Sequence, residues 1–183
     1  MLSNIIEERA EMTVLGGKAR LIIMKCTCPV DTEVSRQIQS SLPYGIKIEK
    51  DERGKPYIVS DGEYRFVSFS HTDEFFLCAL SSQGEIGADI ELKSRRISYE
   101  TAMRISMRYF TDSEREHLIA FSASADFYLE EFMRIWTKKE AYCKMTGEGL
   151  KGLSRADTER VTDCKLLGLD GPWELLVGIA LRD

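Results

Sequence analysis

Two carboxylates, Asp89 and Glu91, flank one isoleucine in the apolar run GEIGADIELKS, and a third, Glu140, lies in DFYLEEFMRIWTKKEAYCKMTG with Lys144 one helical turn later. Along a strand, residues i and i+2 share a face, so Asp89 and Glu91 project together while Ile90 points the other way. Like charges held this close repel, and one tends to protonate unless a cation is present. Taken alone, the pair reads more simply as a solvent-facing edge whose acids keep it soluble.

Helical periodicity puts Leu129, Met133, Trp136 and Cys143 along one apolar stripe, with Glu140 in its middle and Lys144 at its margin. A glutamate there is costly unless it is neutralised or bonded to a cation. The bland alternative is an exposed i,i+4 Glu–Lys pair, which contributes only about 0.2–0.5 kcal/mol. One hard divalent cation would satisfy all three carboxylates, and oxygen-only ligation points to Mg²⁺ or Mn²⁺. Mg²⁺ usually takes phosphate oxygens as remaining ligands, and a nearby lysine can offset charge growing on a leaving group. Phosphoryl chemistry is therefore the expectation.

The elements that must carry these groups follow from the pattern. ARLIIMKCT (Ala19–Thr27) reads as a strand, and DTEVSRQIQSSL (Asp31–Leu42) as a helix capped by Asp31 or Thr32. IKIE and a turn around Gly54 and Pro56 follow. YRFVSFS and EFFLCALSS, separated by HTD, predict a hairpin, and EIGADIEL a third strand ending near Leu92. After KSRRIS the pattern turns helical. SYETAMRISMRYF comes first, then TDSEREHLIAF with a Thr111–Glu114 capping box, then a long helix from about Asp126 to Thr146 stopped by Gly147 and Gly149. CKLLGL and WELLVGIALRD predict two last strands around a Gly171–Pro172 turn. EFFLCALSS loosely resembles WELLVGIALRD, which suggests two similar α+β halves meeting near residue 95.

Composition limits the rest. The 183 residues, 43% hydrophobic and 30% charged, suit one domain or two small ones sharing an interface. No apolar run approaches a membrane span, and MLSNIIEERAEM lacks the basic-then-apolar order of a secretory signal, so no membrane role and a cytoplasmic location are expected. Five scattered cysteines, with Cys26 and Cys28 as C-x-C, and two histidines offer little for a zinc site; reduced thiols are the plain expectation. The net charge of −5 and the lack of a basic stripe argue against nucleic-acid binding. The charge of an anionic substrate must then be met locally, by a metal or a few chosen cations.

Four motifs occur in order: GKPY (Gly54–Tyr57), SFSHT (Ser68–Thr72), GADIE (Gly87–Glu91) and WTKKEAYCKMTGEGL (Trp136–Leu150). Together they resemble the 4′-phosphopantetheinyl transferases of the surfactin-synthetase type: the Gly-Lys-Pro element, the Ser-His signature, Gly-x-Asp-x-Glu, and Trp-(Ser/Thr)-x-Lys-Glu-Ala-x-x-Lys followed by Gly-x-Gly-Leu. The resemblance covers residues 54–150 and implies an α+β fold with two similar halves related by a pseudo-two-fold, here 1–94 and 95–183, and the active site between them. Because the aspartate motif is mid-chain rather than near the N-terminus, it implies the monomeric, two-lobed form.

The implied reaction moves the phosphopantetheine arm of coenzyme A onto a serine of an acyl or peptidyl carrier protein, releasing 3′,5′-ADP. By the resemblance, Asp89, Glu91 and Glu140 hold Mg²⁺, and Glu140 also takes the serine proton. Lys144 offsets pyrophosphate charge, Ser70 and His71 contact coenzyme A phosphates, and Lys55 meets the adenosine 3′-phosphate end. Competing readings are a plain turn lysine for Lys55 and a hairpin cap for His71. His117, on an expected exposed face, receives no role, and Trp136 and Leu129 are core.

The chain departs from the family in its N-terminal part, where DTEVSRQIQSS offers only Arg36. Either Arg36, Lys47 or Arg53 substitutes for the usual cations, or coenzyme A is held more weakly. Ala88 replaces a larger aliphatic residue before the aspartate. Docking of an acidic carrier needs a local basic or apolar patch, and KSRRIS with MRISMRYF (Arg95, Arg96, Arg104, Arg108) supplies one unless it is merely a solvated helix start. Two alternatives stand beside the transferase: a non-catalytic coenzyme A or nucleotide-binding module, and a Mg²⁺-dependent pyrophosphate hydrolase.

Overall fold

A computed structural model describes residues 5–40, 42, 45–95 and 97–182. Strands β1 (Ile6–Val14) and β2 (Ala19–Cys26) lead into helix α1 (Thr32–Gln39). Short strands β3 (Ile48–Lys50) and β4 (Pro56–Ile58) follow, then the hairpin β5 (Phe66–Thr72) and β6 (Phe75–Ser81), then β7 (Ile86–Leu92). Three helices come next, α2 (Tyr99–Tyr109), α3 (Asp112–Ile119) and α4 (Ala125–Thr146), before β8 (Lys165–Asp170) and β9 (Leu175–Leu181). Helices and antiparallel sheets make this an α+β fold, as the sequence predicts.

The sheets are β1-β2-β6-β5, the β3-β4 hairpin, and β7-β9-β8. Strands β6 and β9 are buried at every position, so both faces must be covered and both strands are central. β1 keeps its acids and Arg9 exposed at the edge of its sheet, which discourages pairing with another chain. β7 pairs with β9, so the chain passes from one large sheet to the other between β6 and β7.

The two larger sheets bury a common core. Leu21, Ile23, Leu77 and Ala79 of the four-stranded sheet meet Ala88, Ile90, Val177 and Ile179 of the three-stranded one. The opposite face of the first sheet is covered by α1 through Ile38. Asp31 caps α1 by accepting from the Val34 amide at 2.8 Å, and the Thr111–Glu114 capping box opens α3. Gly147, left-handed at φ 72°, closes α4.

Helix α4 lies between the three-stranded sheet and the other helices: Ala141 and Met145 pack on Ala180, while Phe132 and Ile135 join Leu118 and Leu176. Its seat on the sheet depends on two glycines. A Cβ on Gly87 of β7 would stand 2.0 Å from the Ala141 carbonyl oxygen, and one on Gly178 of β9 would stand 2.3 Å from that of Thr137. Only glycine allows helix backbone and strand backbone to approach so closely. No helix among the described residues is long and apolar enough to cross a membrane, and all five cysteines are free thiols.

Candidate active site

Asp89 and Glu91 stand on one face of β7, opposite a row of hydroxyls from β5. The SFSHT stretch places Ser68, Ser70 and Thr72 on one face by strand alternation. Ser68 Oγ accepts from the Ala88 amide at 3.0 Å, Ser70 Oγ donates to Asp89 Oδ1 at 2.7 Å, and Thr72 Oγ1 donates to Glu91 Oε2 at 3.2 Å. This row joins the edge of one sheet to the edge of the other and fixes both carboxylates.

Helix α4 brings the remaining groups. Lys144 Nζ donates to Asp89 Oδ1 at 2.7 Å, so this one oxygen receives both Lys144 and Ser70. The Arg95 guanidinium bonds both oxygens of Glu91. Glu140 accepts no hydrogen bond and forms no ion pair among the described residues. Burial pushes its carboxyl above the usual range, and repulsion from Asp89 pushes in the same direction; Lys144 opposes them. Glu91 is likewise raised, first by burial, with the Arg95 hydrogen bond working against it and the Asp89 charge adding to it.

Among the described residues no three acids stand close enough together to hold a metal ion. Of the trio expected to share one cation, Asp89 pairs with Lys144 and Glu91 with Arg95. The donor chemistry still fits a hard cation: all oxygen, no imidazole or thiolate, and carboxylates that repel one another across a half-buried space.

Beside these acids opens a cleft of about 330 Å³, walled in part by Val67 and Phe69 and lined by Lys50, Arg53, Lys55, Lys144 and Glu140. Four cations against one carboxylate make it a local basic site in an acidic protein. Lys55 sits under the end of α4, donating to the Met145 carbonyl at 2.6 Å and lying 3.3 Å from Glu85, where a cation suits the helix dipole. The side chains of Lys50 and Arg53, from the β3–β4 hairpin, form no ion pair among the described residues.

The expected residues are not all brought together. Glu140, Lys144 and Lys55 line the cleft; Ser68, rather than Ser70 or His71, completes that part of the wall. Ser70 is engaged by Asp89, and exposed His71 faces a separate cavity of about 280 Å³ with Thr72, Asp73 and Arg95. Of the substitute cations, Arg53 reaches the cleft, Arg36 pairs with Glu33 on the surface of α1, and Lys47 is not part of the wall. Lys50 was missed; its only signal is its place beside the DERG turn. His117 is half-buried rather than exposed and bonds Glu131 at 2.9 Å. Arg96 lies outside the described residues. Lys139, inside the fourth motif but given no role, is fully buried against Glu114.

Residues 85–168 match the family model described as the 4′-phosphopantetheinyl transferase superfamily, a stretch that holds Asp89, Glu91, Glu140 and Lys144. Relatives agree. The chain is 31% identical to a putative 4′-phosphopantetheinyl transferase of Synechocystis sp. over 65% of its own length and 46% of the relative's. It is 35% identical to the 4′-phosphopantetheinyl transferase Sfp of Bacillus subtilis over 66% and 50% of the two lengths. With the 4′-phosphopantetheinyl transferase AcpT of Escherichia coli K12 it shares 33% identity over 52% and 46%. Both comparisons support the 4′-phosphopantetheinyl transferase superfamily. Each match spans about half the length of the relative. The superfamily match begins at β7, so the GKPY and SFSHT elements lie before it.

Proposed function

We propose that the protein transfers the 4′-phosphopantetheine arm of coenzyme A to a serine of an acyl or peptidyl carrier protein. The observation that carries this reading is a half-buried carboxylate, Glu140, that accepts no hydrogen bond among the described residues and stands in a cationic cleft beside the Lys144–Asp89 pair. Lys144 would meet the diphosphate, and Lys55, with Lys50 and Arg53, the terminal 3′-phosphate that the family's N-terminal cations hold elsewhere. The surfactin-synthetase type is favoured by the 35% identity to Sfp and by the mid-chain aspartate motif.

In this reading the carrier serine Oγ attacks the β-phosphorus. The bond from that phosphorus to the bridging oxygen breaks, and 3′,5′-ADP departs with the electron pair. Glu140, ionised, takes the serine proton, for which its raised proton affinity suits it. Lys144 offsets charge on the departing diphosphate oxygens. Asp89, Glu91 and Glu140 would hold Mg²⁺, with Mn²⁺ as substitute, and Lys144 and Arg95 would be its stand-ins on the two strand carboxylates. When bound, the metal supplies Lewis-acid neutralisation of the diphosphate.

The exposed Met103 and Met107 of α2, with exposed Arg104 and Arg108 beside them, are the proposed carrier-docking face. A monomer with two similar α+β halves and the cleft between them remains part of the reading. Ser70 and His71 contribute indirectly in it: Ser70 orients Asp89, and His71 stands beside Arg95.

One observation favours the non-catalytic alternative. Lys144 and Arg95 each form an ion pair with one of the two strand carboxylates. Calorimetry with coenzyme A, followed by measurement of 3′,5′-ADP release with and without apo carrier protein, separates the readings. Carrier-dependent release supports the transferase, binding without release supports the module, and release without carrier supports the hydrolase.

A further inference from the structure

Lys139 and Glu114 form an ion pair in which neither side chain has any exposure, at 2.7 Å. The ammonium also donates to the Ala156 carbonyl and lies 5.4 Å from the centre of the Phe110 ring. Glu114 is equally saturated. Its Oε2 accepts from Lys139 and from the Thr111 amide at 2.9 Å, and its Oε1 accepts from the Thr158 amide and hydroxyl, each at 2.8 Å. Next to it, Ser113 Oγ donates to Asp157 Oδ2 at 2.7 Å.

A buried ion pair is a poor source of stability compared with apolar residues of the same shape, so what it holds matters more than what it contributes. Charge-assisted bonds are short and directional. These tie three pieces of chain to one point: the start of α3, the middle of α4, and residues 156–158. The last of these ends the segment that leaves α4 at Gly147. Gly147 and Gly149 line the cleft, and Leu153 and Ala156 are buried against Cys143. The tether thus fixes the far end of a twelve-residue segment, 147–158, whose near end is cleft wall.

We propose that Lys139 and Glu114 are positioning residues that hold segment 147–158 against α4, so that its glycine backbone forms a fixed wall for coenzyme A. The inference rests on coenzyme A being the ligand of the cleft. Lys139 touches neither substrate nor reacting atoms. It acts through Ala156 and Thr158, while its neighbour Glu140 faces the cleft.

The test uses two variants of the full chain. Glu114→Gln/Lys139→Met removes the charges but keeps shape and an amide able to bond the freed partners. Ser113→Ala/Thr158→Val removes two side-chain tethers, one of them the Thr158 hydroxyl's bond to Glu114, while keeping the Lys139–Glu114 contact itself, and carries the decision should the first not fold. Hydrogen exchange is read along the chain, and coenzyme A affinity by calorimetry. The expected result is roughly tenfold faster exchange confined to 147–158 and roughly tenfold weaker binding, with β2 and β6 exchange unchanged. A folded variant with wild-type exchange in 147–158, or with faster exchange but unchanged affinity, overturns the proposal. Wild-type protein that fails to bind coenzyme A would sink the cleft assignment instead, and the exchange pattern would still judge the tether.

Discussion

Lys144 Nζ and Asp89 Oδ1 lie 2.7 Å apart although their residues are 55 positions apart in the chain. The contact exists because Gly87 lets α4 rest on β7 backbone to backbone, which brings the last turns of the helix level with the strand carboxylates. Of the three carboxylates, Glu140 alone accepts no hydrogen bond among the described residues.

Removing the Lys144 charge tests its place in the chemistry. Lys144→Gln should fold, because the ammonium is about a third exposed and pairs of this kind contribute about 1 kcal/mol or less. Transfer rate should fall roughly 10²-fold at saturating coenzyme A, as for loss of a group aimed at developing charge. Wild-type kcat in this variant would remove Lys144 from the mechanism.

Glu140 has a stability signature independent of activity. Folding raises its proton affinity, so its ionised form weighs against the fold. That cost is absent below the unfolded carboxyl range, grows as pH rises to the folded value, and is complete above it. Glu140→Gln in chelator should therefore gain more in Tm over wild type at about pH 8 than at about pH 4, just below the ordinary glutamate value. An equal difference at both values would show that Glu140 ionises freely.

Gly87→Ala should cost about 1–3 kcal/mol or more from overpacking, since the new methyl meets the Ala141 carbonyl at 2.0 Å. The helix must shift off β7, so activity should fall further than stability. Thermal melting and initial rates on the same sample measure both.

Much of this arrangement is legible from the residues. The same-face acids on β7, the capping box of α3 and the glycine stop of α4 follow from local periodicity and end chemistry. β1 is hidden because a bulge near Glu7 and Glu8 interrupts the alternation of IEERAEMTV, and its exposed face is charged. Nothing in the sequence marks Lys139 and Glu114 as buried, because a single apolar stripe implies a polar back. α4 has none there, being covered by the sheet on one side and by α2 and α3 on others. Lys50 joins the cleft only through folding of the β3–β4 hairpin toward α4, which no local pattern encodes.

Lys50 and Arg53 offer a ligand-level test. The double variant Lys50→Gln/Arg53→Gln should bind coenzyme A at least roughly tenfold more weakly, given about 1.5–3 kcal/mol for a charged hydrogen bond. Affinity for dephospho-coenzyme A, which lacks the 3′-phosphate, should barely change. Equal losses for the two ligands would place the terminal phosphate elsewhere.

The most direct measurement is the intact mass of an apo carrier protein after incubation with this protein, coenzyme A and Mg²⁺. The account predicts a gain of one phosphopantetheine group on the carrier, abolished by Glu140→Gln and by chelator. An unchanged mass across acyl and peptidyl carriers, with coenzyme A demonstrably bound, would contradict it.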